Sequence, residues 1–359
     1  MYLESLATSV PDCRLTQAEC WERFRSSRAA TRLSLGARGL VRRVLLGNSG
    51  IDTRHFALPP DEALFDMDAE ALNKAFEAEA PPLGENALRD ALEQAELRPA
   101  DLDALIVCTC TGYLCPGLSS FIAERTRLRR DACLLDLAGL GCGAAIPSMR
   151  TAAGLLAADP AARVAVVAVE LCSAAYYMDE DPGVIISACL FGDGAAAAVF
   201  SAQPAPGRHR FHGFDSFHLP EERGGLRFEN HGGKLRNRLA QSVPAVAATA
   251  VSRLRARRPA PLSALPAGAP PEDASAQPHC ITHGGGRLVL DALGPALGDA
   301  PLAEARTVLR RHGNLSSPSV LFALREYLDT AAARPPKGGL WLASFGAGFS
   351  AHSCACDCD

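Results

Sequence analysis

The sequence lacks the features that would place the protein in a membrane, on nucleic acid or outside the cell. Its apolar runs are short: "VAVVAV" at residues 164–169 stops at Glu170, which indicates a buried strand, far too short to span a bilayer. No basic stretch followed by an apolar run opens the chain, so we expect no export signal. Because 36 basic residues stand against 40 acidic ones, neither nucleic acid nor a membrane surface is the expected partner. A cytoplasmic protein is predicted.

Paired CxxC motifs are also missing, although the sequence contains 13 cysteines. An odd number without an export signal predicts free thiols, because a reducing cytosol opposes disulfides. The "CACDC" tail at Cys354, Cys356 and Cys358 is interpreted as a solvated terminus rather than a metal site. No metal or redox cofactor is therefore predicted.

What the sequence does have is an alternation of strand and helix signals. Four apolar runs predict strands, the first of them buried: "LDALIVCT", "DACLLDLAG", "ARVAVVAVEL" and "GDGAAAAVFS". Helical spacing is found in "LGENALRDALEQAEL", and a second strand and helix set begins at "PHCITHGGG". This order predicts an α/β protein with sheets covered on both faces, in two similar halves at residues 1–205 and 206–359. A proline-rich surface loop is predicted at about 255–278.

One cysteine has the setting of a nucleophile. In "DLAGLGCGAA", Cys142 follows a predicted strand and opens a predicted helix, and glycines flank it. The N-terminus of a helix stabilises a thiolate through its free N–H groups and its positive dipole end. A structural core cysteine fits this stretch as well, so the residues alone leave both interpretations open.

Two later motifs carry groups that could act with this thiol. His283 ends an apolar strand in "ITHGGGR", before three glycines. Asn314 precedes a helix in "RHGNLSSPSV", where Ser317 and Pro318 suit a helix start. Taken singly, His283 could be structural and Asn314 a turn residue.

Five motifs in order resemble the type III polyketide synthases, the chalcone synthase-like enzymes: "GLGCGAA", "LFGDGAAAAVF", "THGGG", "HGNLSSPSVLFAL" and "SFGAGFS". The resemblance implies the thiolase fold, five αβαβα layers built from two similar halves, in a homodimer with Cys115 near its interface. It makes Cys142 the nucleophile and His283 and Asn314 its catalytic partners. The substrate-binding residues it implies are Phe191, Cys110, Thr111, Cys172, Ala174, Ser316, Gly346 and Gly348.

The resemblance also implies a reaction. A Cys142 thiolate, paired with protonated His283, would take an acyl group from a thioester of coenzyme A or of an acyl carrier protein. His283 and Asn314 would stabilise the enolate left when a malonyl-type thioester loses carbon dioxide. Attack of this carbanion on the acyl group is a decarboxylative Claisen condensation. Polyketide, pyrone or resorcinol-type products would follow.

Two stretches depart from the family pattern. Arg236, Asn237 and Arg238 stand where a second gatekeeper aromatic is expected. The segment that resembles a coenzyme A anchor has Arg42 and Arg43, but Asn48 where a lysine is common. Together they predict a wide, cationic entrance that could attract an acidic carrier protein as donor.

Other functions remain open at this level. A ketoacyl-carrier-protein synthase III-like enzyme would perform a single condensation, and a related ketosynthase would join carrier-bound chains. A cysteine hydrolase would release free acid without consuming malonyl thioester. A non-catalytic thiolase-fold partner would be expected to lose the nucleophile, which this sequence retains.

Overall fold

The computed structural model describes residues 1–205, 207–257, 277–330 and 338–358. Its strands are β1 (Tyr2–Ser9), β2 (Cys13–Thr16), β3 (Thr53–Phe56), β4 (Ala104–Cys108), β5 (Cys133–Leu137), β6 (Arg163–Glu170), β7 (Gly194–Ser201), β8 (His209–His218), β9 (Leu226–His231), β10 (Lys234–Leu239), β11 (His279–Thr282), β12 (Leu340–Gly346) and β13 (Ser350–Cys358). Its helices are α1 (Gln17–Arg25), α2 (Arg28–Arg32), α3 (Leu35–Leu46), α4 (Glu62–Asp66), α5 (Ala69–Gln94), α6 (Leu118–Thr126), α7 (Ala145–Ala158), α8 (Pro182–Leu190), α9 (Val243–Ala256), α10 (Arg287–Ala296), α11 (Ala303–His312) and α12 (Ser319–Thr330).

One mixed sheet runs through the molecule in the order β11-β12-β13-β8-β1-β7-β6-β4-β5. Strands from the earlier part of the chain form one end, and strands from the later part form the other. β1 pairs with β7 along its length and reaches β8 at a single residue pair, Tyr2 with Arg210. The four apolar runs predicted as strands are β4 to β7, and this prediction is confirmed.

The sheet is curved around a shared core, which gives five layers. α7 and α12 lie in the middle and pack against inner strand faces from both ends of the sheet. α5 and α6 cover the outer face at one end, and α9 and α10 cover it at the other. The αβαβα architecture is confirmed. Within β6, Val164 and Val166 face the shared core while Ala165 and Val167 face α5, so burial on both sides explains an unbroken apolar run.

The tail was predicted wrongly. "CACDC" belongs to β13, a strand inside the sheet between β12 and β8, and does not extend from the fold as a free tail. Cys354 and Cys356 are fully buried in the shared core, where a thiol behaves as a small apolar side chain. In the part of the chain that the structure describes, no group of three or more His, Cys, Asp or Glu side chains could hold a metal ion.

Two boundary predictions have different outcomes. The division at 205/206 falls between β7 and β8 and stays a prediction. Most of the predicted 255–278 loop lies outside the described residues, which end one segment at residue 257 and resume at 277. None of the described helices is long and apolar enough to cross a membrane.

Candidate active site

Cys142 lies where the central helix begins. β5 ends at Leu137, a tight turn spans Gly141–Gly143, and α7 follows from Ala145. Gly141 has a φ of 55°, a left-handed conformation that favours glycine. Cys142 is 9% exposed, so its thiol is almost buried at the entry to α7, as its motif predicts.

The loop after β12 closes against this turn. A Cβ atom on Gly346 would lie 2.5 Å from the carbonyl oxygen of Leu140 and 2.6 Å from the amide nitrogen of Gly143. Only glycine can therefore occupy this position. The Ser344 hydroxyl donates a hydrogen bond to the Gly143 carbonyl at 2.9 Å, and Gly348 has a φ of 129°. The two predicted glycines thus hold the loop against the turn that carries Cys142.

His283 follows β11 and is 1% exposed. Its amide donates to the Ala343 carbonyl at 3.0 Å, and its ring meets Phe345 edge-on, with 5.0 Å between ring centroids. Among the described residues its Nδ1 atom has no hydrogen-bond partner. The His283 ring is therefore held in place by packing and still has a nitrogen free to form a hydrogen bond, which suits contact with a substrate.

Asn314 is held by its neighbours on both sides. Its Nδ2 donates to the Gly285 carbonyl at 3.1 Å, and its Oδ1 accepts from the Ser316 amide at 2.8 Å. Its own amide donates to the Leu190 carbonyl at 2.9 Å, next to Phe191, one of the predicted substrate-binding residues. Because an amide group has two N–H donors, one of them is left for a ligand.

Ser316 links two of the predicted site residues. Its hydroxyl oxygen lies 3.2 Å from the Cys142 sulfur and 3.2 Å from the Cys110 sulfur. It is also 3.3 Å from Oε1 of Glu170. Segments far apart in the sequence therefore meet at one hydroxyl beside the proposed nucleophile.

Glu170 belongs to the site, and sequence reasoning missed it. Its side chain is fully buried at the end of β6. Five donors reach its two oxygens: the hydroxyls of Thr109, Thr111, Ser316 and Ser317 and the amide of Cys110. Burial raises its pKa and these bonds oppose the rise. The sequence did contain a signal for this role, because Glu170 directly follows a long apolar run. A carboxylate at the end of a buried strand needs buried hydrogen-bond partners.

Burial shifts the pKa values of Cys142 and His283 in opposite directions. Burial raises the pKa of Cys142 to about 12; the Ser316 hydrogen bond lowers it and the Glu170 charge raises it further. Burial lowers the pKa of His283 to about 3. Among the described contacts no hydrogen bond joins Cys142 to His283, and the Cys142 sulfur lies 3.2 Å from the Ser316 hydroxyl oxygen. Removal from water therefore disfavours the charged form of each group in the free protein, and the thiolate–imidazolium pair stays a prediction.

Most of the predicted cavity residues line two spaces next to Cys142. Cys172, Phe191 and Ser316 line a cavity of about 30 Å³. Cys110 and Ala174 line a cleft of about 540 Å³. Thr111 lines both spaces.

The predicted cationic entrance was wrong. The Arg236 guanidinium lies 2.7 Å from Asp179 and 3.2 Å from Glu229, and that of Arg238 lies 2.6 Å from Asp181. These carboxylates neutralise the charges of the two arginines. Arg236 and Arg238 lie on the outer face of the hairpin formed by β9 and β10, where the neighbouring side chains are acidic.

The other departures lie on the surface. Arg42 and Arg43 are exposed on α3. The Asn48 carbonyl accepts a hydrogen bond from Nε of Arg287 at 2.8 Å. This bond joins the α3 end of the molecule to the start of α10, four residues after His283.

Comparison with known proteins decides the family. A family model described as FAE1/Type III polyketide synthase-like protein matches residues 7–212. The chain belongs to the type III polyketide synthases. The 1,3,6,8-tetrahydroxynaphthalene synthase of Streptomyces coelicolor is 31% identical, over 86% of this chain and 80% of that protein. The 3,5-dihydroxyphenylacetyl-CoA synthase of Streptomyces toyocaensis is 32% identical, over 84% of this chain and 78% of that one.

Solved structures agree with this assignment. The crystal structure of the Streptomyces coelicolor synthase has a TM-score of 0.84 and 29% identity, covering 100% of this chain and 99% of that one. The C-terminal domain of Steely1 from Dictyostelium shares the fold, with a TM-score of 0.85 at 20% identity over 99% of each chain. This type III polyketide synthase is thus an acyltransferase that forms polyketides by decarboxylating condensation. Membership favours this activity over the hydrolase and the non-catalytic partner.

Proposed function

We propose that this synthase loads an acyl group from a coenzyme A thioester onto Cys142 and extends it with malonyl-type units. The observation that carries the proposal is the meeting of three segments: the Cys142 turn, the loop after His283 and the Asn314 loop. Ser316 contacts the Cys142 sulfur while Asn314 binds the Gly285 carbonyl, so the three groups share one frame.

In the loading step the Cys142 sulfur attacks the thioester carbonyl. A carbon–sulfur bond forms to Cys142 and the bond to coenzyme A breaks. The Cys142 proton must leave before or during attack, and the imidazole of His283 is the group proposed to accept it. Coenzyme A leaves as a thiolate and takes up a proton.

In the extension step His283 and Asn314 act as donors. A neutral imidazole has one N–H, and the Asn314 amide has one N–H left beside its bond to Gly285. Both donors would face the thioester oxygen of a malonyl unit. Carbon dioxide leaves, the negative oxygen of the enolate accepts both bonds, and the carbanion attacks the acyl carbon on Cys142. The sulfur of Cys142 is released as leaving group.

Coenzyme A is the proposed donor, rather than a carrier protein. The cationic entrance that favoured a carrier rests on Arg236 and Arg238, which are paired with carboxylates. The relatives are named for tetrahydroxynaphthalene, phloroglucinol and a dihydroxyphenylacetyl coenzyme A thioester. We infer a polyhydroxylated aromatic product of the same class for this chain.

We also propose that the enzyme works as a cytoplasmic homodimer. β5 is the edge strand at one end of the sheet, and Leu134 on it is 38% exposed. Tyr113 is 76% exposed at the rim of the cleft, and Cys115 and Cys133 are exposed as well. A second copy on this face would cover the strand edge and the apolar side chains, and it would close the cleft.

The function is tested by mass spectrometry of the intact protein. Wild type mixed with acyl-CoA should gain one acyl group, and Cys142→Ala should gain none. Cys142→Ser, which keeps the size of the side chain, is the control for folding. Acylation of Cys142→Ala at the wild-type level would remove Cys142 as the nucleophile, and failure of wild type to consume malonyl-CoA would refute the condensing activity.

The homodimer is tested by sedimentation at micromolar concentration. Wild type should sediment as a dimer, and Leu134→Arg should shift it toward monomer. Leu288, 63% exposed on α10, provides the control Leu288→Arg, which should remain dimeric. A monomeric wild type would end the proposal.

A further inference from the structure

His352 is a buried histidine that the proposed loading and extension steps do not use. It lies on β13 and is 3% exposed. Its strand partners are Ser344 on β12 and Ser216 on β8, and paired residues point to the same face of a sheet. The Ser344 hydroxyl donates to the Gly143 carbonyl, so this face of the sheet is the one that lies beneath the Cys142 turn.

The His352 ring packs against one end of that turn. A Cβ atom on Gly143 would lie 3.1 Å from Cδ2 of His352, which is closer than an ordinary van der Waals contact. The ring therefore occupies the space that a side chain at Gly143 would need. Because Gly143 directly follows Cys142, the ring supports the backbone that carries the nucleophile.

The ring also reaches the other end of the turn, through Ser350. Nε2 of His352 lies 3.1 Å from the Ser350 hydroxyl oxygen, and this hydroxyl donates to the Ala347 carbonyl at 2.9 Å. A Cβ atom on Gly141 would lie 3.0 Å from the Ala347 amide nitrogen, so the loop after β12 touches the first residue of the turn. One histidine thus supports Gly143 directly and Gly141 through two intermediate residues.

The two serines beside the ring determine where its hydrogen lies. The Ser350 hydroxyl gives its hydrogen to a loop carbonyl, so it accepts from the ring, and Nε2 carries the N–H. Nδ1 is then an acceptor, and the Ser216 hydroxyl donates to it at 2.8 Å. Burial, with smaller contributions from His218 and Arg150, lowers the pKa of His352 to about 4. A neutral ring with both nitrogens paired is held in one orientation.

We propose that His352 is a positioning residue that holds the Cys142 sulfur in place for acyl loading. The inference rests on the proposed function, in which Cys142 receives the acyl group. Without the ring, the space under Gly143 is empty, and the Ser350 hydroxyl loses the donor that holds it toward Ala347. The turn is then free to shift, and a displacement of about 1 Å at a reacting atom lowers a rate by as much as about 10²-fold.

The experiment measures acyl loading onto Cys142 by rapid-quench mass spectrometry of the intact protein over a range of acyl-CoA concentrations. His352→Ala should lower the limiting loading rate by about 10–100-fold, and the half-saturating concentration should stay within about twofold of wild type. His212→Ala is the matched control, because the His212 ring on β8 bonds Asp357 rather than a residue of the loop or the turn. It should load at the wild-type rate even if its stability falls.

Two further substitutions separate packing from hydrogen bonding. His352→Gln keeps an N–H donor and should recover part of the loading rate. His352→Leu fills the space without a donor and should recover less. A wild-type rate in His352→Ala, or equal rates for His352→Gln and His352→Leu, overturns the proposal.

A second test leaves the histidine in place. Ser350→Ala removes one oxygen atom and breaks the link between the ring and Ala347, so loading should slow by about fivefold at an unchanged half-saturating concentration. If the His352 variants do not fold, a wild-type rate in Ser350→Ala alone overturns the proposal. Failure of the proposed function is distinct, because wild type itself would then not load.

Discussion

The two sides of the Cys142 sulfur differ in how completely their polar groups are used. On one side both oxygens of Glu170 accept hydrogen bonds, and Ser316 connects this network to the sulfur. On the side assigned to His283, Nδ1 of its ring is buried without a partner among the described residues. Buried polar groups normally have hydrogen-bond partners. The Glu170 side, whose polar groups are all paired, is called here the saturated side, and we interpret it as structural. The His283 side, which has an unpaired polar atom, is the unsaturated side, where we expect substrate oxygens to bind.

The largest expected effect is on the unsaturated side. His283→Ala should lower malonyl decarboxylation by about 10²–10³-fold, because one donor to the enolate oxygen is lost. His283→Gln restores an N–H donor and should recover part of the rate. The measurement is carbon dioxide release from malonyl-CoA at saturating substrate. An unchanged rate in His283→Ala would remove the distinction between the two sides.

On the saturated side the effect should appear in stability. Glu170→Ala leaves the Cys110 amide and several hydroxyls without an acceptor, and should lower the free energy of unfolding by about 3 kcal/mol. Glu229→Ala, on the outer face of the β9–β10 hairpin, should cost about 1 kcal/mol or less. Urea titration of both variants measures the difference. Equal losses would mean that the buried network contributes no more than a surface ion pair.

The pH dependence of Cys142 alkylation tests the comparison further. Because burial raises its pKa to about 12, the thiolate fraction should rise about tenfold per pH unit between pH 6 and 9. Iodoacetamide alkylation of the free enzyme, followed by mass spectrometry of the Cys142 peptide, should show this slope. His283→Ala should have the same slope. If the alkylation rate of wild type instead reached a plateau near neutral pH, and His283→Ala lacked this plateau, the result would support the thiolate–imidazolium pair.

The smallest effect is expected at the paired arginines. Arg238 is partly exposed beside Asp181 and Glu229, so Arg238→Glu should disturb the hairpin locally without removing a charge that attracts substrate. KM for an acyl-CoA should change less than about twofold, with the same salt dependence as wild type. Kinetics at low and high salt test this. A strong, salt-dependent rise in KM for a carrier-bound chain, with no such rise for acyl-CoA, would support the cationic entrance.

Sequence reasoning succeeded where a single periodicity or motif carried the information. The runs that became β4, β6 and β7 are buried on both faces, and few structures other than a buried strand accept such a run. Most of α5 was not predicted, because proline normally interrupts a helix. The sequence predicts helical spacing only after Pro81 and Pro82, but α5 begins at Ala69 and contains both prolines. Packing of α5 against the sheet overrides the local penalty.

Parts of the site depend on contacts that no pattern encodes. The motifs predicted Cys142, His283 and Asn314 as a set, and the fold brings their segments together. Neither the raised pKa of Cys142 nor the hydrogen bonds to Glu170 could be predicted in this way. The first depends on how much water the fold excludes, and the second on contacts between residues far apart in the sequence.

The shared core affects how the chain is synthesised. Residues 1–205 supply α7 and half of the inner sheet face, but β12 and β13, which pack against α7, come only after residue 339. At ordinary rates of translation these strands follow roughly ten to thirty seconds later. Until then a broad apolar surface of the nascent chain is uncovered. Yield in a foreign host should therefore depend on chaperone supply and on slow expression at low temperature.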